Sequence, residues 1–323
     1  IPSALGYQVY TVDPGEYLIG TDGKINPNAR LGYSDGQYYY RPDDWIDGTF
    51  RNGLRQEYNV SISGGSDRFN YYVSGSYLGD DGLVEGSHFQ RMSARTTMDY
   101  QAKKWLKIGT SMSYTYINSG DPSDQTNSTS SANAFYLAYN IAPYYPLYVR
   151  DANGNIMHNE KYGHKIYDYG DGKSTNFKRN FMKESNPAGT LLYDTEDFLT
   201  DVFSGKWYIQ LTPIEGLTVT GTLGSYVSNQ RYHGIGNPFY GGAVAYGGSA
   251  SQGYYRTRAL NLQGLANYRR TFNNVHDVDL LLGYESYDYN YETLTGNGYN
   301  LYMPDSWAMY NVIDRKNTTG RQL

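Results

Sequence analysis

The sequence has no cysteine, which excludes disulfide frameworks and thiolate chemistry. It has no apolar run near ~18 residues, so it carries no candidate transmembrane helix. Charged residues are only 18% of the chain, below the roughly 25% usual in soluble domains. The net charge of −5 leaves no basic footprint for nucleic acid. The five histidines, His88, His158, His164, His233 and His276, show no metal-ligand spacing. No Ser/His/Asp set, phosphate loop or carboxylate pair stands out, so no catalytic residue, cofactor or metal site is expected. No secretory leader is visible and the first residue is Ile1, which reads as a mature chain or an excised piece. The mean hydropathy of −0.67 does not exclude a membrane β-barrel, whose strands are only half apolar.

What is abundant is tyrosine, 38 residues against 10 Phe, together with 37 Gly. These tyrosines fall into a two-sided pattern. Tyr58, Val60 and Ile62 alternate with Glu57, Asn59, Ser61 and Ser63. Phe69, Tyr71, Val73, Gly75 and Tyr77 follow, then Met92 to Tyr100 and Ile108 to Tyr116 by twos. A second block runs through Phe203, Trp207, Ile209 and Leu211, back through Leu217, Val219, Leu223 and Val227, and on through Leu260, Leu262, Val278, Leu280, Leu282 and Tyr284. Alternation of period two marks a sheet with unlike faces, and about eight strands are expected.

The connections carry a second signal. Those at 64–67, 101–104, 213–216 and 273–274 are tight, while those between them are long. Strict alternation of short and long connections suits a barrel with short turns on one side of a membrane and long loops on the other. Aromatic residues stand at both ends of the apolar stripes and aliphatic ones between, as at two interfacial girdles. The expected fold is therefore all-β, an antiparallel transmembrane β-barrel segment whose apolar face meets lipid and whose Ser/Thr face looks into a wet lumen. The expected divisions are a loop region over 1–54, two hairpins over 55–117, a long extracellular loop over 118–198, two hairpins over 199–296 and a further loop over 297–323. A soluble sandwich, or a surface-exposed β-rich adhesin, would show similar alternation.

One stretch goes further. Asp44-Trp45, the Ser-Ile-Ser-Gly-Gly turn at 61–65, Asn70-Tyr71-Tyr72, Tyr77-Leu78 with Asp81-Gly82, Phe89-Gln90-Arg91 and Trp105-Leu106-Lys107-Ile108-Gly109 follow in order. This ordered set resembles the barrel of SusC/RagA-like TonB-dependent transporters. "IAPYYPLYVRDANGNI" at 141–156 and "SNPAG" at 185–189 are similar to the family's extracellular segment. The resemblance implies an internal slice of a larger, roughly 22-stranded barrel in the outer membrane of a Gram-negative bacterium of the Bacteroidetes type. It implies import of an oligosaccharide, or alternatively a peptide, handed over by a SusD-like surface lipoprotein. Energy coupling through a TonB-ExbB-ExbD complex belongs to a plug, and no plug-like sequence is present here.

The loop aromatics Tyr38, Tyr39, Tyr40, Trp45, Tyr136, Tyr139, Tyr144, Tyr145 and Tyr148 are candidate substrate contacts, or else pack the loops together. A short helix is expected near 131–142. Glu57, Arg91, Arg95, Asp99 and Lys107 have lumen parity and are expected to meet the plug. Asp151-Ala152-Asn153-Gly154-Asn155 lacks the glycine and glutamate positions of a calcium loop and reads as an Asn-Gly turn. Asp201 falls on the lipid-side parity, which leaves a bulge or a place in the headgroup layer open.

Overall fold

The computed structural model describes residues 6–122, 133–160, 163–183, 185–239 and 242–322. Four two-residue strands, β1 (Tyr10–Thr11), β2 (Arg30–Leu31), β3 (Tyr33–Ser34) and β4 (Tyr39–Tyr40), pair as β1-β2 and β3-β4 ahead of a short helix α1 (Trp45–Thr49). The main body is one antiparallel sheet. Its strands are β5 (Arg55–Gly65), β6 (Phe69–Asp81), β7 (His88–Lys103), β8 (Leu106–Gly120), β9 (Thr195–Ile214), β10 (Leu217–Gly236), β11 (Ser249–Phe272), β12 (His276–Leu301) and β13 (Val312–Gln322). Each pairs with its neighbour in sequence, so the sheet is a simple meander.

The tight turns use the residues their geometry demands. Asn273 and Asn274 both take the left-handed conformation, which asparagine tolerates better than most residues. Gly216 does the same at φ 84° between β9 and β10. The alternation of short and long connections holds along the whole sheet.

The register is continuous across the wall. Tyr77, Met92, Tyr116, Asp201, Asn229, Arg256 and Glu292 form one hydrogen-bonded row from β6 to β12. The apolar band crosses this row diagonally. On β6 its last apolar residue is Tyr77, in the row itself. On β12 it is Tyr284, eight residues nearer the tight turn, with Ser286, Asp288, Asn290 and Glu292 beyond it on the same face. The tight-turn ends slide equally: Phe69 lies eight residues from Tyr77, and His276 sixteen from Glu292.

Two differences from the sequence expectation stand out. A ninth strand, β13, occupies part of the segment expected to be loop at 297–323. Strands β9 to β12 also run far past the apolar stripes, to 20, 20, 24 and 26 residues. Beyond the band the outward face turns polar, while on β12 Tyr287, Tyr289 and Tyr291 continue the alternation on the inward face.

The buried core lies outside the sheet. Segments expected as separate loops, 1–54 and 118–198, pack together as one module among the described residues. Tyr7, Val9, Tyr40, Trp45, Leu137, Tyr145, Leu147 and Tyr167 share one apolar cluster. Helix α2 (Ala134–Asn140) is capped by Asn133, and α3 (Pro187–Tyr193) by Asn186 with Pro187 at its start. Asn186 also donates to Leu147 O and Asp168 O, both at 3.0 Å, and so ties α3 to two passing chain segments.

Candidate functional site

Three surfaces could carry function: the outward wall, the inward wall and the loop module. Outward-facing Val60, Met92, Tyr114, Leu223 and Leu282 are exposed, with Leu282 at 75%. A contiguous exposed apolar face of this extent needs an apolar partner phase. Asp201 stays on this face. The β9 register is unbroken around it, and it accepts a hydrogen bond from Tyr114 Oη, with Arg231 Nη2 3.9 Å away. No bulge re-registers it; it sits one outward position above Phe203, at the upper edge of the band.

The inward wall is hydroxyl-rich. Glu57, Arg91, Arg95, Asp99 and Lys107 all lie on it by register. Glu57 and Arg91 flank Leu78, one strand to each side. Asp99 accepts from Tyr208 Oη, and Lys107 Nζ lies 4.0 Å from Asp99 and over the Tyr208 ring. Arg91 and Arg95 make no ion pair among the described residues. The inward tyrosines Tyr226, Tyr287 and Tyr289 gather further along the wall, around a groove of about 520 Å³. Sequence reading passed them over, although their parity opposite Val227 and Tyr284 was there to be read.

The loop module redistributes the other candidates. Tyr40, Trp45 and Tyr145 are 1%, 3% and 2% exposed, so these three are packing residues rather than ligand platforms. Trp45 Nε1 donates to Tyr145 O at 2.9 Å, and the Arg179 guanidinium stacks over both rings. Tyr39, Tyr136, Tyr144 and Tyr148 are half-buried, and Tyr144 Oη donates to Tyr7 O at 2.9 Å. Tyr139 is 70% exposed. Asp151 folds its own turn: its Oδ1 accepts from the Asn153 and Asn155 amides at 3.0 and 2.9 Å, with Gly154 at φ 89°. The helix expected near 131–142 is α2; Ser131 lies outside the described residues.

Buried charged groups organise the module, and none was evident from sequence. Arg150 grips Asp43 with two parallel bonds of 2.6 and 2.9 Å, and Asp43 Oδ2 also accepts from the Leu147 amide at 2.8 Å. Asp168 accepts from Tyr7 Oη at 2.9 and 2.8 Å and from the Gly170 amide at 2.7 Å. Burial pushes its carboxyl up to about 6, against the pull of Arg179 and of these donors. A raised carboxyl pKa means that the folded module holds a proton more readily than the unfolded chain. The penalty is therefore full above about 6 and is relieved as pH falls towards the ordinary ~4. Protection of the Asp168 neighbourhood in amide hydrogen exchange should rise between pH 7 and pH 5. Asp168→Asn should flatten that profile. A wild-type profile already flat over this range would show that Asp168 does not titrate there.

No family model matches the chain. It is 24% identical to TonB-dependent receptor P3 of Formosa agariphila, over 75% of this chain and 22% of that protein. It is equally identical to TonB-dependent receptor P26 of the same organism, over 79% of this chain and 23% of that protein. A 55-residue stretch is 38% identical to TonB-dependent receptor SusC of Bacteroides thetaiotaomicron, covering 17% of this chain and 6% of that one. In fold it matches a structure of the RagAB peptide transporter with TM-score 0.66 at 18% identity, over 88% of this chain and 30% of the other. The chain thus spans about a fifth of the length of the curated relatives it matches. In sequence and in fold, the chain resembles a segment of the barrel of SusC/RagA-like TonB-dependent transporters.

Proposed function

We propose that this chain is part of the wall of an outer-membrane nutrient importer driven through TonB, with its long connections outside the cell. The observation that carries the reading is the diagonal of the apolar band. It slides eight residues across six strand steps. At ~3.3 Å per residue and ~4.8 Å per strand, a level band requires strands inclined by about 40°, within the ~35–45° of membrane barrels. A soluble sandwich has no reason to shear its apolar face at that angle.

The cargo we propose is an oligosaccharide. A SusD-like surface lipoprotein would lid the barrel and pass the ligand on, and a TonB-ExbB-ExbD complex would act through a plug supplied by the rest of the protein. Similarity to the RagAB peptide transporter supports the fold and makes a peptide the second reading. The protein on this view is a transporter and not an enzyme.

The intact protein should leave membranes only with detergent and should migrate differently in gels before and after heating. Uptake of its ligand should stop when the inner-membrane energiser is deleted. A protein that is released by salt alone and stays monomeric without detergent would instead be a surface-bound β-rich module.

A further inference from the structure

We infer that the inward wall of β10, β11 and β12 carries a saccharide-stacking slot, with Tyr226 and Tyr289 as its two jaws. This deepens the oligosaccharide reading and rests on it. Tyr226, Ala259 and Tyr289 are neighbours in one hydrogen-bonded row, so the two phenol rings rise on either side of a single methyl group. Two strand spacings separate the jaws, roughly 9.5 Å. A ring held at van der Waals contact on both faces needs about 7–8 Å, within reach of modest ring tilts. Both jaws are exposed, at 40% and 52%, and among the described residues their hydroxyls carry no charge partner.

The rest of the slot is chosen against bulk. In the next row Gly224 stands where a side chain would fill the space, beside Asn261 and Tyr287. Asn261 Nδ2 and Gln263 Nε2 donate to one oxygen of Glu285, at 2.6 and 3.0 Å, which holds both carboxamides at the edge of the groove. Among the described residues no donor reaches either amide's carbonyl, which leaves both for a hydroxyl. Lys206, across Gly224, makes no ion pair among the described residues and adds a donor. No Leu, Ile, Val or Met lines this groove, so an apolar peptide side chain finds no pocket here. A pyranose ring presents C–H faces to aromatic rings and hydroxyls to carboxamides, and it needs no counter-charge.

The level of the slot also fits an incoming ligand. Tyr226 adjoins Val227, the last apolar residue of the β10 stripe, and Tyr287 and Tyr289 lie beyond Tyr284, the last of the β12 stripe. The slot therefore opens at the long-loop end of the wall, above the level at which the band crosses.

The test uses the intact transporter in detergent. Its affinities for maltohexaose, cellohexaose, laminarihexaose, xylohexaose and a mixed hexapeptide pool are measured by calorimetry. For whichever saccharide the wild type binds, Tyr226→Ala and Tyr289→Ala should each weaken affinity about tenfold, the scale of ~1.4 kcal/mol. Tyr289→Phe should retain it within about twofold, since the ring is kept. Ala259→Phe should abolish binding by filling the slot with both jaws in place, and unchanged heat-dependent gel migration would show that its barrel still forms. Saccharide binding that is equal in all four variants would overturn the slot and leave the importer reading standing. Binding of the peptide pool alone would overturn the oligosaccharide reading and the slot with it. Undiminished affinity together with new protease cleavage of the plug would make the rings a plug contact, and would also overturn the proposal.

Discussion

Leu223→Arg should destabilise the folded barrel by about 2–4 kcal/mol, whereas Thr222→Arg, one residue away, should cost about 1 kcal/mol or less. Leu223 sits in the middle of the outward band, between Trp207 on β9 and Leu262 on β11. A guanidinium there must lie in hydrocarbon or drag water to it. Thr222 sits between Tyr208 and Gln263 on the inward wall, with Glu285 beyond Gln263. An arginine there stays wet and gains a nearby carboxylate. Urea titration of the intact protein in lipid vesicles measures both. Equal costs would remove the assignment of the two faces, and the importer reading with it.

Arg150→Ala should cost the loop module about 3–5 kcal/mol, because it strands the Asp43 carboxylate in a buried place. The Arg150 and Asp43 side chains are 6% and 12% exposed, and they clamp segments 107 residues apart. Asp43 would keep the Leu147 amide but lose both guanidinium bonds. Arg150→Lys should recover only part of the loss, since an ammonium cannot make the parallel pair. Limited proteolysis at the cell surface reads the result. Wild-type resistance in Arg150→Ala would show that the clamp is dispensable. The prediction concerns the loops alone, so the barrel should still pass the heat-modifiable migration test.

How much of this was legible before the structure depends on which solvent each residue meets. Tyr58, Val60 and Ile62 face one way and Glu57, Asn59 and Ser61 the other, and membrane and lumen write that difference directly into the sequence. Strand β13 has no such contrast. Its "VIDRKNTTGRQ" pairs with the polar upper part of β12, where a strand is wet on both sides and any alternation is lost. The hairpins expected over 199–296 extend only from Thr195 to Leu301 in β9 to β12, a few residues past the expected bounds.

The loop aromatics failed differently. Nothing in "DDW" or "PYYPLY" says that Trp45 Nε1 will find Tyr145 O a hundred residues away, and that contact decides burial. Tyr139 and Tyr145 look alike in sequence, yet one is 70% exposed and the other 2%. Arg179, 1% exposed over two aromatic rings, is likewise set by tertiary packing and not by local pattern.

The 26 residues of β12 have a consequence for traffic. Crossing the bilayer takes about 10 of them. On the proposed orientation the remainder, climbing at ~3.3 Å per residue and inclined by about 40°, stands roughly 40 Å clear of the lipid. That parapet is stitched to β11 down the full length of β11, from Ser249 to Phe272, and leaves no side door. On the proposed reading cargo comes over the rim, past the connections at 237–239, 242–248 and 302–311, well before it reaches the depth of the membrane.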